Sequence, residues 1–453
     1  MQTIHRITAI TLALLSASVS AADLLSAWQS AQTRDPELAA ARTVLEQAEF
    51  RKDQARALWA PQAVATAQAG LGGQDSYIRG ADAMGQSGVS FNTNTNVGVL
   101  GRASVGAQQA WISPEKQAQE RQLNLSALVA QTQWQQTEQG LMLRTAQKYF
   151  DVLSAELTLD VLLRQQKSIQ QAAKEITKRQ SVGDASVMDV QEANARVSGM
   201  RAQVLSQENT LEMKRVAYRQ MVGQAPEKLA TLSPTVLFTN ADLGDANQWV
   251  QRAKEQAPPL QMMRLQQAIQ AQEAKRVKAG DALTVNWVAQ AQLDRMMGHG
   301  KFGISSNQMV NYMVGVQLQA PLDTGGMVRA REQEALKQVE KLRFDEEVVQ
   351  LQIEQSVRDA WQNLATAPAR LTALEQSLKA SQSRVTATRN AHRIGSRSTN
   401  EWLGAEHDAA QAELALLQLR IQTVMERLRL QAASGALNAS ALQTINAWLK
   451  NPA

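Results

Sequence analysis

Cysteine is absent from this 453-residue chain, which excludes a disulfide framework and a lipid-attachment cysteine. Aromatic residues make up only 4%. That is poor material for a thick globular core and suits long helices that touch along narrow seams. Beyond the first residues there is no apolar run of transmembrane-helix length. No Lys/Arg block of five or more occurs, and the net charge of +5 is spread along the chain. Nothing therefore points to a nucleic-acid partner. Of the four histidines, His5 lies at the N-terminus and His299, His392 and His407 are scattered, without an H-E-x-x-H pair. "GHGKFG" (298–303) lacks the Ser/Thr that follows Lys in a phosphate loop, and "AGLGG" is too short for a dinucleotide fingerprint. No catalytic residue, metal site or cofactor is expected, and an enzyme reading has no residues to rest on.

The N-terminus is informative. Arg6 supplies a positive start, Ile7 to Val19 is uncharged and apolar, and "SVSAA" (18–22) puts small residues at a cleavage position. Residues 1–22 read as a secretory signal peptide, too short to span a membrane.

The rest of the chain repeats itself. "RDPELAAAR" (34–42) is echoed by "QAPPLQMMR" (256–264), and "WISPEKQAQ" (111–119) by "LDTGGMVRA" (322–330). "SVGDASVMD" (181–189) is echoed by "RIGSRSTNE" (393–401), sharing G-x-x-S-x-x-[DE]. The echoes keep their order at a spacing of roughly 210–220 residues, the signature of an internal repeat. The expected organisation is a first repeat over 23–224, a linker over 225–244, a second repeat over 245–436 and a C-terminal tail over 437–453. Each repeat opens with a helix (about 24–58 and 245–279).

Two strands follow in each repeat, over 62–72 and 96–111 in the first and 283–293 and 311–322 in the second. Val97, Val99, Ala103 and Val105 share one face, with Gly98, Arg102, Ser104 and Gln108 on the other. Tyr312, Val314, Val316 and Leu318 alternate in the same way with Met313, Gly315, Gln317 and Gln319. Period two with one apolar face means a strand, and each is about the ~10 residues a tilted strand needs to cross a bilayer. Trp111, Trp287 and Tyr312 fall where an interfacial aromatic belt would lie. The intervening 73–95 and 296–309 are rich in Gly, Ser and Asn and read as surface loops. A small soluble sheet packed on the helices is the other reading these segments allow.

Long helical tracts complete each repeat. Val190, Val197, Val204, Leu211 and Tyr218 recur every seven residues, and Leu414, Leu417, Ile421, Val424 and Leu428 are spaced three and four apart. Both are coiled-coil seams. The tracts break only near 183–187 and 395–399. There Gly183 and Gly395 can take the left-handed conformation that ends a helix. Ser186 with Asp189, and Ser398 with Glu401, have the spacing of a capping box that starts the next one. If the strands cross a membrane, an open sheet edge cannot lie in lipid. Four strands are too few for a barrel, so chains must pool them: two chains would give eight, a narrow and plugged barrel, and three would give twelve, the count read here. The fold class read here is therefore mainly α with a membrane β-barrel part: long coiled-coil hairpins on a barrel shared by a homotrimer.

These features together resemble the TolC-like outer-membrane factor family. The resemblance rests on "DPELAAAR", "PLDTGGMVRAREQEA" and the two turn motifs, in order and duplicated. It implies an exit duct in the Gram-negative outer membrane, with a periplasmic helical tunnel and contact with outer-membrane lipid. It further implies a periplasmic adaptor and an inner-membrane transporter, of ABC or RND type, as partners. Without an N-terminal lipid-anchor cysteine the chain is more similar to the type I secretion branch. A duct for a proton-driven multidrug pump, or a soluble periplasmic coiled-coil scaffold or adaptor, are the alternatives. The resemblance also implies a periplasmic gate at the two turns. Asp189 takes the place of a first-hairpin aspartate, Arg397 that of the arginine tethering it, and His392 that of a tyrosine, with Ser398 beside them. Glu401 takes the first position of an acidic ring at the pore mouth. Gly404 replaces the second acid, and Glu406 and Asp408 are nearby.

Overall fold

In the computed structural model, residues 23–83, 86–226, 228–233, 243–300 and 303–450 are described. The signal-peptide segment and much of the linker lie outside them. The order of elements occurs twice. First come α1 (Leu24–Gln32), α2 (Pro36–Ala57), β1 (Gln62–Ala83), β2 (Gln86–Ile112), α3 (Pro114–Ser181) and α4 (Val187–Val222). After β3 (Thr231–Leu232) come α5 (Ala246–Gln256), α6 (Pro258–Lys278), β4 (Thr284–Gly300), β5 (Gly303–Gln319), α7 (Met327–Arg393) and α8 (Thr399–Ala433). The chain ends in α9 (Ala439–Ala447) and β6 (Leu449–Lys450).

The helix expected at the start of each repeat is two helices. Pro36 and Pro258 each open the second, at the first helical position, where the N–H would have no intrahelical partner and the fixed φ suits the helix. Asp35 caps the first break by accepting from the Leu38 amide at 2.7 Å.

The chain divides into two compact units. One comprises Val44–Gln131 and Met262–Glu346. It holds an antiparallel sheet in the order β1-β2-β4-β5, curled with one convex face. The strands run further than the alternation predicts, because 73–83, 86–95, 296–300 and 303–309 are paired strand and not loop. Backbone hydrogen bonding extends a hairpin whatever its side chains, so a Gly/Ser/Asn composition does not end it. β5 in turn stops at Gln319, short of the expected 322. On the convex face Val97, Val99, Leu71, Leu293, Val310 and Val314 are exposed. The opposite face is mostly polar, including Thr66, Ser104 and Gln292. Where β2 meets β4 the backbones nearly touch. A Cβ on Gly98 would lie 2.5 Å from the Met297 carbonyl oxygen, and one on Gly298 would lie 2.5 Å from the Gly98 Cα. The helical parts of this unit meet through small residues, Ala48 against Ala127 and Ala130. Trp59 is fixed by donating to Glu120 at 2.9 Å.

The other unit comprises Met1–Thr43, Thr132–Gln261 and Glu347–Ala453. Its main core gathers Leu24 and Trp28 (α1), Tyr149 and Phe150 (α3), Leu211 and Tyr218 (α4) and Val424 and Leu428 (α8). Tyr149 is fully buried and donates to the Ala230 carbonyl at 2.8 Å. Both heptad seams face inward: Val204, Leu211, Tyr218, Leu414, Val424 and Leu428 are buried, and Val190, Val197, Leu417 and Ile421 pack partly buried beside them. The segment 437–450 is not a loose tail. Leu437, Leu442 and Ile445 enter the same core, and β6 pairs with β3. Asn446 clasps the start of α1, accepting from the Leu24 amide at 3.0 Å and donating to Asp23 at 2.8 Å. α7 carries Pro368 within its span.

Candidate functional site

The two hairpin turns, α3–α4 and α7–α8, are built alike. Gly183 and Gly395 sit at φ 84° and 76°, a region that only glycine enters without strain. Each turn closes with the same two backbone bonds. Gly183 N–H donates to Gln180 and Asp184 N–H to Arg179; Gly395 N–H donates to His392 and Ser396 N–H to Ala391. This is the Schellman pattern, which satisfies the last carbonyls of a helix. The following helices start with capping boxes. Asp189 N–H donates to Ser186 Oγ at 3.1 Å, and its carboxylate accepts from Ser186 N–H at 3.0 Å. Glu401 N–H donates to Ser398 Oγ at 3.3 Å, and its carboxylate accepts from Ser398 N–H at 2.8 Å.

The residues added around this shared frame differ between turns. In the first, Arg179 pairs with Asp184 at 2.8 Å. In the second, Arg397, in the turn just before α8, pairs with Glu401 in the first turn of that helix. His392 is buried, stacks on Trp402 at 5.4 Å, and hydrogen-bonds the Arg397 carbonyl through Nδ1 at 3.1 Å. A carbonyl can only accept, so Nδ1 carries a proton. The Arg389 guanidinium lies 5.4 Å from the Trp402 ring centre, and Trp402 donates to Glu406 at 3.2 Å. Asp408 pairs with Arg384 at 2.6 Å.

Among the described residues no ion pair joins Asp189 to Arg397 within one chain, because both are engaged locally. Each acid expected at the pore mouth also has a partner: Glu401 has Arg397, Glu406 has Trp402, and Asp408 has Arg384. Hydrogen bonds from Ser398 and then the Arg397 guanidinium hold the Glu401 carboxyl down at about 2. The Ser186 hydroxyl and amide lower Asp189 below its ordinary value.

Trp402 is the residue sequence reasoning missed. It is buried with Leu403 against Leu162, Ile169, Met200 and Val204 of the first hairpin. The one sequence signal is its place directly after the capping box, where the first repeat has Val190. Of the three expected interface aromatics, Trp111 and Trp287 come together, stacked at 5.6 Å. Tyr312 pairs with Ala291, further along the convex face, and does not join them.

Known proteins share this architecture. The family described as "Outer membrane efflux protein" matches residues 249–436. The outer membrane protein TolC of Vibrio cholerae serotype O1 is 24% identical over 439 residues, covering 96% of both chains. The "Proteases secretion protein PrtF" of Dickeya chrysanthemi is 24% identical over 452 residues, covering 98% of this chain and 94% of its own. Among solved structures, CusC superposes with a TM-score of 0.75 at 14% identity, over 92% of both chains. The outer membrane protein VceC of Vibrio cholerae gives 0.72 at 17%, over 91% of this chain and 96% of its own. In sequence and fold the chain is similar to the TolC-like outer-membrane factors. It is an outer-membrane protein with the fold of the channel-tunnels, a family of ducts and not of enzymes.

Proposed function

We propose that three copies form the outer-membrane exit duct of a type I secretion system, passively conducting a protein substrate handed over by an inner-membrane transporter and a periplasmic adaptor. The observation carrying the duct is the sheet. It has four strands, one apolar convex face, and β1 and β5 as open edges. In lipid those edges must be paired. Pairing β5 of one copy with β1 of the next closes a twelve-strand barrel in three steps, a size within the range of membrane barrels. The secretion reading leans on relatives named for protease secretion, PrtF and the AprF of Pseudomonas aeruginosa. The BepC relative of Brucella suis, named an efflux protein, keeps a drug-efflux duct as the second reading. Cross-linking in intact cells followed by identification of the captured inner-membrane protein separates the two. An ABC transporter supports secretion, and a proton-driven pump overturns it.

In this reading residues 1–22 are a cleaved signal, the two repeats supply two hairpins each, and the matched turns form the periplasmic gate. Asp189 and Arg397 hold neighbouring hairpins together, Glu401 rings the mouth, and His392 and Ser398 set the position of Arg397. A guanidinium between carboxylates of two hairpins is a directional, partly dehydrated tie. Asp189→Ala and Arg397→Ala should each raise the resting conductance of the purified protein in planar bilayers. An unchanged closed state in both would remove the gate from these residues.

A further inference from the structure

One charged side chain interrupts the convex face of the sheet. From Trp287 to Leu293 the alternate residues of β4 on that face are apolar. The next is Arg295, exposed and without an ion-pair or side-chain hydrogen-bond partner among the described residues. The arginine facing the other way, Arg102, is paired with Asp294 at 2.6 Å. Arg295 is the one formal charge on this face between the Trp111–Trp287 stack and the row of Val97, His299 and Ile304. Its neighbours across the strands are Gly101 on one side and Gln308 on the other. Gly101, with Ala69 beyond it, leaves a gap in the side-chain surface. Gln308 adds an amide donor.

The position is informative. Arg295 lies eight residues beyond Trp287. That is roughly 27 Å along an extended strand, or about 20 Å along the membrane normal at a tilt of ~40°. All four strands join helices at the tryptophan end. If the sheet spans the outer membrane, as the proposed function holds, Arg295 lies at the border between the acyl chains and headgroups of the outer leaflet. A guanidinium there extends toward the polar layer, and its planar fork matches phosphate.

We propose that Arg295, with Gln308 beside it and the space over Gly101, binds the phosphate of an outer-leaflet lipid headgroup, once per subunit. The proposal rests on the membrane-spanning reading of the sheet. The test adds diphosphoryl lipid A to the detergent-solubilised full-length protein and counts adducts by native mass spectrometry. Arg295→Gln should weaken lipid A retention about fivefold. Arg295→Lys should keep the charge but lose the fork and so retain lipid A at a level between wild type and Arg295→Gln, and Gln290→Ala on the opposite face should leave it unchanged. Inorganic phosphate at the same concentration should not displace the lipid. Wild-type retention in Arg295→Gln, or displacement by inorganic phosphate, overturns the proposal while a heat-modifiable trimer in the outer membrane leaves the duct standing. A wild-type chain absent from the outer membrane overturns both.

Discussion

Trp402 and Val190 stand at the same place in the two hairpins, and the difference sets the chemistry of the turns. Val190 packs with Ala173, Ile176 and Ala193. Trp402 recruits His392 and Arg389 to its faces and Glu406 to its indole N–H. Trp402→Ala should therefore cost about 3–5 kcal/mol, measurable as faster hydrogen exchange at residues 389–406 with the 180–190 turn less affected. The capping carboxylates carry a pH dependence. Glu401 is depressed to about 2 and Asp189 is also lowered. Their contribution is complete above the ordinary carboxylate range and is lost as pH falls through the depressed values. Amide protection at 398–402 should hold at pH 5 and decline between about 4 and 2, and Glu401→Gln should abolish that pH dependence. The caps were legible because Ser-x-x-Asp/Glu after glycine is a local rule. Within one chain Arg397 pairs with Glu401, and the tie to Asp189 of a neighbouring hairpin that the resemblance implies belongs to the proposed gate.

At the scale of elements, seams and turns could be read in advance, and lengths and ends could not. A seam is a repetition, and Val204, Leu211 and Tyr218 show it directly. The ends of β1 and β2 show nothing comparable, because pairing extends them through residues of weak strand preference. α9 is nine residues of ordinary composition, and only the fold brings Leu442 and Ile445 into the core beside α1. Leu442 is completely buried, so Leu442→Ala should destabilise this unit by about 2–5 kcal/mol. Denaturant titration followed by tryptophan fluorescence checks it, because Trp28 and Trp448 adjoin the same cluster. A loose tail would give no shift in midpoint.

For the whole molecule, the two faces of the sheet make opposite demands. Ala291 lies on the convex face, four residues from both Trp287 and Arg295, and Gln290 on the other. An arginine at mid-membrane on a lipid face costs about 2–4 kcal/mol per subunit. Ala291→Arg should sharply reduce the heat-modifiable trimer in outer membranes, whereas Gln290→Arg should leave it near the wild-type level. Equal yields would remove the membrane from the convex face. The contact of Gly98 with Gly298 also bears on assembly, since it is where the first and second repeats are sewn into one sheet. How sharply the sheet turns at this seam sets the arc that a single chain subtends. The number of chains in a closed ring is the full circle divided by that arc. In the proposed trimer, the close approach of these two glycines would set part of that arc.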